Sequence, residues 1–179
     1  GKALADILFG KVSPSGRLPV TFYRSDRDLP AFTDYSMKNR TYRYFKGAAL
    51  YPFGYGLSYT RFSYSAASYG DGAVEVDVTN AGGMDGEEVA QVYVRNHHPE
   101  APENPVLCGF LRFALKAGEK KRIRLPLSEH AFFVIDQKGK TIPNMGRKTL
   151  YVGGSQPDHR SMELLGQEPL YITMMDGTG

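Results

Sequence analysis

The chain has 179 residues, which allows one large domain or one domain with part of another. Its apolar fraction of 41%, charged fraction of 23% and net charge of +3 are ordinary for a globular protein and do not indicate a polyanionic partner. Cys108 is the only cysteine, which excludes a disulfide within the chain, and no apolar run is long enough to cross a bilayer.

The first segment of the chain, residues 1–40, carries a short helix pattern followed by polar, irregular sequence. Residues 2–9 are amphipathic, and Gly10 follows them as a C-terminal cap. The apolar face of this predicted helix consists of Ala3, Leu4, Ile7 and Leu8. Residues 18–23 predict a strand with a proline near its start, and residues 24–39 predict a polar loop. Because so short a helix does not hold alone in water, we expect this segment to be the C-terminal remnant of a domain whose bulk lies upstream.

The second segment, residues 41–60, is crowded with aromatic residues and shows neither helical nor strand periodicity. Glycines and a proline interrupt every candidate element. An exposed run of this kind would leave a large apolar patch in water. We therefore predict an irregular joint, with rings buried between two packed bodies and hydroxyls bonded at the edges. The predicted joint residues are Tyr44, Phe45, Tyr51, Phe53, Tyr55 and Tyr59.

The third segment, residues 61–179, shows short strands and turns. Residues 73–79 alternate cleanly, with valines inward, and residues 87–95 are apolar enough to predict a central strand. Further strands are predicted at residues 110–115, 121–127, 132–135 and 149–152, hairpin turns at 118–119 and 138–139, and an edge strand or surface-packed segment at 169–173. Strands that recur in this way, with no helical pattern between them, predict a β-sandwich.

A basic cluster occurs on one of the predicted strands. Lys120, Arg122 and Arg124 share one face of this strand, whereas Ile123 and Leu125 share the other. The pattern is typical of a solvated strand face, and we predict no nucleic-acid partner.

The carboxylates and histidines show no pattern of a catalytic or metal site. Glu87 and Glu88 are adjacent on a strand beside a turn, so they point to opposite faces, and solvation is the favoured role for both. His97 and His98 precede Pro99 without an acidic or cysteine partner at metal-ligand spacing. We therefore predict no metal and no cofactor.

Four motifs follow one another along the chain. They are Gly10-Lys-Val-Ser-Pro-Ser-Gly-Arg-Leu-Pro-Val-Thr21, then Tyr51-Pro-Phe-Gly-Tyr-Gly-Leu-Ser-Tyr-Thr60 preceded by Tyr42-Arg-Tyr-Phe45, then Asn80-Ala-Gly-Gly-Met-Asp-Gly-Glu-Glu-Val-Ala-Gln-Val-Tyr-Val94, and Leu107-Cys-Gly-Phe-Leu-Arg112. In this order they resemble the C-terminal part of family 3 glycoside hydrolases, which include β-glucosidases and β-xylosidases. The first resembles the end of an α/β sandwich domain, the second its joint, and the last two a fibronectin type III-like domain.

The resemblance implies a mainly β fold: a fibronectin type III-like (immunoglobulin-like) β-sandwich preceded by a short helix–strand remnant of an α/β sandwich domain. It also implies a periplasmic or secreted parent that hydrolyses β-linked glucosides or xylosides with retention. In the family the nucleophile is an aspartate on an upstream barrel domain, and the acid/base is a glutamate in the sandwich domain. Neither motif occurs here, so no catalytic residue is assigned. We expect this chain alone to be inactive, with upstream catalytic domains of the same protein as its partners and a homodimer as one further assembly.

Residues 34–44 are the remaining functional candidate. Tyr35, Arg40, Tyr42 and Arg43 combine aromatic faces with charged groups, which are the two kinds of side chain that bind sugars, and they predict a rim for an oligosaccharide substrate. In the alternative reading these residues tie two domains together, with a guanidinium stacked on a ring. A third hypothesis, from another class, is an autonomous carbohydrate-binding or adhesion module without hydrolase activity, although the chain contains no tryptophan.

Overall fold

A computed structural model describes residues 1–175 of the chain. The helices are α1 (Lys2–Leu8), α2 (Thr41–Tyr44) and α3 (His159–Leu165), with a 3-10 turn at Asp26–Asp28. The strands are β1 (Phe62–Gly70), β2 (Ala73–Asn80), β3 (Gly86–Asn96), β4 (Val106–Leu115), β5 (Lys120–Pro126), β6 (Phe133–Ile135), β7 (Thr141–Pro143), β8 (Lys148–Gly153) and β9 (Leu170–Met174).

Two antiparallel sheets form a sandwich. One sheet has the order β1-β2-β5 and the other β4-β3-β8-β9, while β6 and β7 form a separate hairpin. Buried valines, leucines and an isoleucine from both sheets make up one core. The mainly β, fibronectin type III-like fold predicted from the sequence is therefore confirmed.

Strand β2 shows why the alternating pattern was informative. Val74, Val76 and Val78 are fully buried in the core, as the alternation predicted. On the opposite face Asp77 accepts a hydrogen bond from Arg122 of the neighbouring strand β5. The basic side of β5 thus faces water and is paired with acidic residues of β2, which is the solvated strand face that the sequence predicted.

Strand β3 is central, as predicted, because it pairs with β4 on one side and β8 on the other. Most other predicted strands are present with ends that shift by one to a few residues, which is normal for strand boundaries. The hairpin at residues 138–139 joins β6 to β7, and Pro169 leads into β9 at the edge of the larger sheet.

Two predictions about local structure are wrong. Residues 18–23 do not form a regular strand but make a single bridge, between Phe22 and Tyr51 of the joint. The proline in this stretch has no N–H to donate to a ladder. The turn at 118–119 does not close a hairpin, because β4 and β5 belong to opposite sheets. It carries the chain from one layer of the sandwich to the other.

Four of the helices and strands have no clear pattern in the sequence and were not predicted. Strand β1 contains a bulge with Ala66 at a positive φ of 52°, and its serines and alanines conceal the alternation. Helix α3 depends on its caps: Asp158 accepts a bond from the Ser161 backbone N–H, and Gly166 ends the helix at a positive φ. Strand β7 is only three residues long, and α2 is one turn within the predicted irregular joint.

Helix α1 has nearly its predicted bounds, and Gly10 follows it at a positive φ of 69°. Its apolar side chains Leu4 and Leu8 are exposed, as is Phe9 just after the helix. Three large apolar groups therefore face water at this end of the described chain.

Candidate functional site

The joint is attached to the sandwich by stacked rings. Tyr42 in α2 stacks on Phe53, with ring centroids 4.2 Å apart and planes 17° apart. Both rings meet the fully buried Tyr93 of β3 edge-on, at centroid distances of 6.3 and 6.4 Å. Offset-stacked and edge-to-face pairs of this kind are the favoured arrangements of aromatic rings. Tyr42 and Phe53 are thus anchored on the outer face of the larger sheet.

A buried amide lies beside these rings and bonds the joint directly. Gln91 of β3 donates from Nε2 to the carbonyl oxygen of Gly54 at 3.0 Å and to that of Gly154 at 2.9 Å. Tyr93 Oη donates to Gln91 Oε1 at 2.6 Å. Burial raises the pKa of Tyr93 well above its usual range, so its hydroxyl stays protonated.

Gly54 must be a glycine in this arrangement. Its φ is +78°, a region that residues with a Cβ rarely adopt. A Cβ here would also collide with Gln91 Oε1 and lie 2.7 Å from the Tyr93 hydroxyl. The glycine of the aromatic motif therefore allows the positive φ of the turn and lets the joint backbone pack closely against Gln91 and Tyr93 of β3.

The opposite side of the joint contacts the first segment. The Leu18 N–H donates to the Tyr55 carbonyl oxygen at 2.9 Å, and the Phe22 N–H donates to that of Tyr51 at 2.9 Å. Tyr51 and Tyr55 stack with centroids 5.8 Å apart, and Tyr23 meets Phe45 edge-on at 4.8 Å. Of the six predicted joint residues, Phe45 and Tyr55 are buried, whereas Tyr51 and Tyr59 are 42% and 52% exposed. The prediction that the rings are buried on both sides is therefore wrong for Tyr51 and Tyr59.

A buried ion pair links the first segment to the sandwich. Arg17 Nη2 lies 2.7 Å from Glu88 Oε1, and the two side chains are only 10% and 5% exposed. The Val89 N–H also donates to the same carboxylate oxygen at 2.8 Å. Burial raises the pKa of Glu88, while the Arg17 guanidinium acts in the opposite direction.

The expected solvation of Glu88 at a turn is therefore wrong. The residue lies on the core face of β3, in the same parity as the buried Ala90, Val92 and Val94. That parity could have revealed it, because a carboxylate on a buried strand face requires a partner. What the sequence could not show was that Arg17, seventy-one positions away, supplies the guanidinium.

Glu87 behaves as the sequence predicted and faces the surface. It accepts hydrogen bonds from Arg112 Nε at 3.1 Å and from Ser15 Oγ at 3.2 Å. The bonds from Arg112, followed by that from Ser15, lower the pKa of Glu87. The hydrogen bond from Ser15 gives a second, weaker link between the first segment and the sandwich.

Of the four predicted rim residues, Arg40 and Tyr42 are engaged by neighbouring groups, whereas Tyr35 and Arg43 are exposed. Arg40 donates from Nε to the Ser36 carbonyl oxygen at 2.9 Å and from Nη2 to that of Asp34, so its guanidinium closes the preceding loop. Tyr42 belongs to the ring stack of the joint. Arg43 lies with its guanidinium carbon 6.0 Å from the centroid of the Tyr42 ring. Tyr35 is 89% exposed.

Neither a metal site nor a membrane-spanning helix is found in the described part of the chain. Residues 1–175 hold no group of three or more histidine, cysteine or acidic side chains that could bind a metal ion. His97 instead shares a hydrogen bond with Thr149 Oγ1 at 3.0 Å, and burial lowers its pKa. In the same range, every helix is too short or too polar to cross a bilayer.

Two family models match the chain in the order that the motifs predicted. Residues 1–59 match the glycosyl hydrolase family 3 C-terminal domain, and residues 88–156 match the fibronectin type III-like domain. The chain belongs to glycosyl hydrolase family 3. The resemblance that the motifs carried is therefore confirmed, and the aromatic segment described above lies at the end of the first match.

Relatives in family 3 cover most of this chain. It is 43% identical to a xylan 1,4-beta-xylosidase of Xylanibacter ruminicola, over 88% of this chain and 19% of that protein. It is 35% identical to a periplasmic beta-glucosidase of Salmonella typhimurium, over 92% of this chain and 25% of that protein. The chain thus spans 19% to 25% of the length of these curated relatives.

Solved structures give the same picture of the fold. The crystal structure of a family 3 beta-glucosidase from Bifidobacterium adolescentis superposes with a TM-score of 0.80 at 33% identity, covering 100% of this chain and 28% of that one. A beta-D-glucoside glucohydrolase from Trichoderma reesei gives a TM-score of 0.78 at 27% identity, covering 98% of this chain and 28% of that one.

Proposed function

We propose that this chain is the non-catalytic C-terminal portion of a retaining glycosidase that acts on β-linked glucosides or xylosides. The names of the relatives, a xylan 1,4-beta-xylosidase and beta-glucosidases, support this substrate class. In this proposal the bond-breaking carboxylates lie in upstream domains of the same protein, which are the main partners of the chain. One carboxylate displaces the leaving group and forms a glycosyl-enzyme intermediate. Water then hydrolyses this intermediate and the terminal sugar is released.

The role we propose for the sandwich is to buttress the catalytic domains. The observation that carries this proposal is the set of buried contacts that connect the sandwich to residues 1–59. Glu88 binds Arg17, Gln91 bonds the Gly54 carbonyl oxygen, and Tyr93 packs against the joint rings. A segment held by an ion pair, a buried amide and ring contacts has little freedom to move relative to the sheet.

We also propose three segments for the chain: residues 1–40 as the remnant of the α/β sandwich domain, 41–60 as the joint and 61–179 as the sandwich. Residues 176–179 of the last segment lie outside the described residues. A periplasmic relative supports a periplasmic or secreted location for the parent. We further propose that the parent protein forms a homodimer.

Of the four rim residues, we propose that Tyr35 and Arg43 touch the oligosaccharide. Both are exposed, and an aromatic face and a guanidinium suit the C–H and hydroxyl groups of a sugar. Arg40 and Tyr42 are engaged by the Asp34 carbonyl oxygen and by Phe53, so we assign them to holding the segment in position.

The buttress role is tested in the longer protein that the proposal implies. Gln91→Ala removes the amide that bonds the joint, whereas Gln137→Ala removes an exposed amide of the same type and is the matched control. We expect Gln91→Ala to lower the temperature at which hydrolysis of p-nitrophenyl β-glucoside or β-xyloside is lost, with no change for Gln137→Ala. Equal inactivation temperatures for the two variants would contradict the buttress.

The assignment as a non-catalytic portion is tested with the 179-residue chain alone. We expect no turnover of either p-nitrophenyl substrate by a clean preparation, and retention of anomeric configuration in the first product of the longer protein, observed by NMR. Hydrolysis by the chain alone, or inversion by the longer protein, would overturn the proposal.

A further inference from the structure

A cavity of about 520 Å³ lies between the joint and one end of the sandwich. Its polar wall is formed by Arg17, Tyr64 of β1 and Glu88 of β3, and Gly154 lies just beyond the end of β8. Its apolar wall includes Leu57 of the joint, and leucines at the end of α3 also line it. The cavity is thus lined by residues of both sheets, of the joint and of the first segment.

Two polar atoms in this wall are buried without a partner among the described residues. The Arg17 Nε–H and the Tyr64 hydroxyl make no hydrogen bond there, although other nitrogens and oxygens around them are bonded. The Arg17 side chain is nine-tenths buried. Because buried polar groups are nearly always hydrogen-bonded, these two free groups are available to bond a molecule bound at this cavity.

Two of the polar groups, those of Glu88 and Tyr64, meet beside Gly154. A Cβ built on this glycine would lie 3.3 Å from Glu88 Oε1 and 3.6 Å from the Tyr64 hydroxyl oxygen. A methyl group here would therefore touch both the carboxylate and the hydroxyl, and the glycine leaves only a narrow gap between them. Burial, with the Glu88 charge, raises the pKa of Tyr64 well above its usual value, so the phenol keeps its proton and can donate at neutral pH.

The chemistry of the wall selects a neutral ligand. The charges of Arg17 and Glu88 cancel, and the remaining charged residue of the lining, Arg61, is exposed. The guanidinium donates, the carboxylate accepts and the phenol does both, which matches the alternating donors and acceptors of neighbouring hydroxyls. The apolar wall suits C–H surfaces, and the volume lies in the range of small-molecule sites.

We propose that this cavity binds a small neutral polyhydroxylated molecule with the size and chemistry of a monosaccharide. The site lies in the sandwich and its joint and contains no pair of carboxylates, so it is a binding site and breaks no bond. It does not rest on the proposed hydrolase function, because every group involved belongs to this chain.

The test uses the 179-residue chain with D-glucose and D-xylose as probes, observed by saturation-transfer NMR and calorimetry. We expect saturable binding by the unaltered chain. Tyr64→Phe removes one buried hydrogen bond to the ligand and should weaken binding about threefold to tenfold. It should leave thermal unfolding unchanged or slightly raised, because the hydroxyl has no partner among the described residues.

Two further variants complete the design. Gly154→Ala places a methyl group between the carboxylate and the phenol and should abolish binding. Tyr69→Phe is the matched control, because Tyr69 is also a tyrosine of β1 but packs against Phe132 elsewhere, and binding should be unchanged.

Four results would each overturn the inference. They are the absence of saturable binding by either sugar, equal affinity in the unaltered, Tyr64→Phe and Gly154→Ala chains, preferential binding of acetate or phosphate in place of the sugars, and a glucose-soaked crystal in which water alone bridges Arg17 and Tyr64. Failure of the hydrolase proposal would leave the result of this experiment unaffected, since no turnover is measured.

Discussion

Replacing Arg17 with methionine would leave the Glu88 carboxylate buried without its cation. Apart from the guanidinium, the Val89 N–H donates to this carboxylate at 2.8 Å, and the Glu88 side chain is 5% exposed. Removing one partner of a pair buried to this degree destabilises a protein by about 3–5 kcal/mol. We therefore expect Arg17→Met to lower the free energy of unfolding by about 3–5 kcal/mol at neutral pH.

The pH dependence gives a sharper test of the same reasoning. Burial raises the pKa of folded Glu88 above its ordinary value, so between these two values the folded state binds more protons than the unfolded state. The contribution of Glu88 to stability therefore falls as the pH rises through this window. Without Arg17 the folded pKa rises further. The loss caused by Arg17→Met should accordingly shrink when the pH is lowered and the carboxylate becomes neutral.

The assay is urea unfolding followed by circular dichroism, at neutral and at mildly acidic pH. Arg112→Ala is the control, because it removes an arginine whose partner Glu87 is on the surface, where a pair contributes less than about 1 kcal/mol. Arg17→Met combined with Glu88→Met should recover most of the loss, since an apolar pair needs no charge compensation. A loss below about 1 kcal/mol for Arg17→Met, or one that stays constant with pH, would refute the reasoning.

Three further predictions concern a glycine turn, an exposed ion pair and the apolar face of α1. Gly54→Ala should lower the midpoint of thermal unfolding more than Gly118→Ala, because both have positive φ but only Gly54 also faces a collision; equal shifts would contradict this. Lys120 and then Arg122 lower the pKa of Asp77, so its contribution to stability should disappear as the pH falls through that lowered pKa; an Asp77→Asn variant with the same acid unfolding curve would refute it. Leu4→Lys with Leu8→Lys should raise the solubility of the chain without changing its unfolding midpoint, and unchanged precipitation would contradict the exposed face.

The sequence alone determined the elements whose pattern is local. The alternation in β2 fixed which valines enter the core, and the apolar character of β3 fixed its central position. The crowding of rings between residues 41 and 60 predicted aromatic packing, and Tyr42 and Phe53 do stack there beside Tyr93. The motif order indicated the family, since each motif is a short run that can be read without knowing its contacts.

The tertiary structure decided what depends on distant partners. Strand β1 carries a bulge among small residues, and α3 depends on caps at both ends, so neither shows a clear period. The turn at 118–119 crosses between sheets because β5 pairs with β2, seen only from the pairing register. Glu88 became half of a buried ion pair because folding brings Arg17 within 2.7 Å of it. Charge pairing across seventy-one positions leaves no mark on local periodicity, and only the folded chain reveals it.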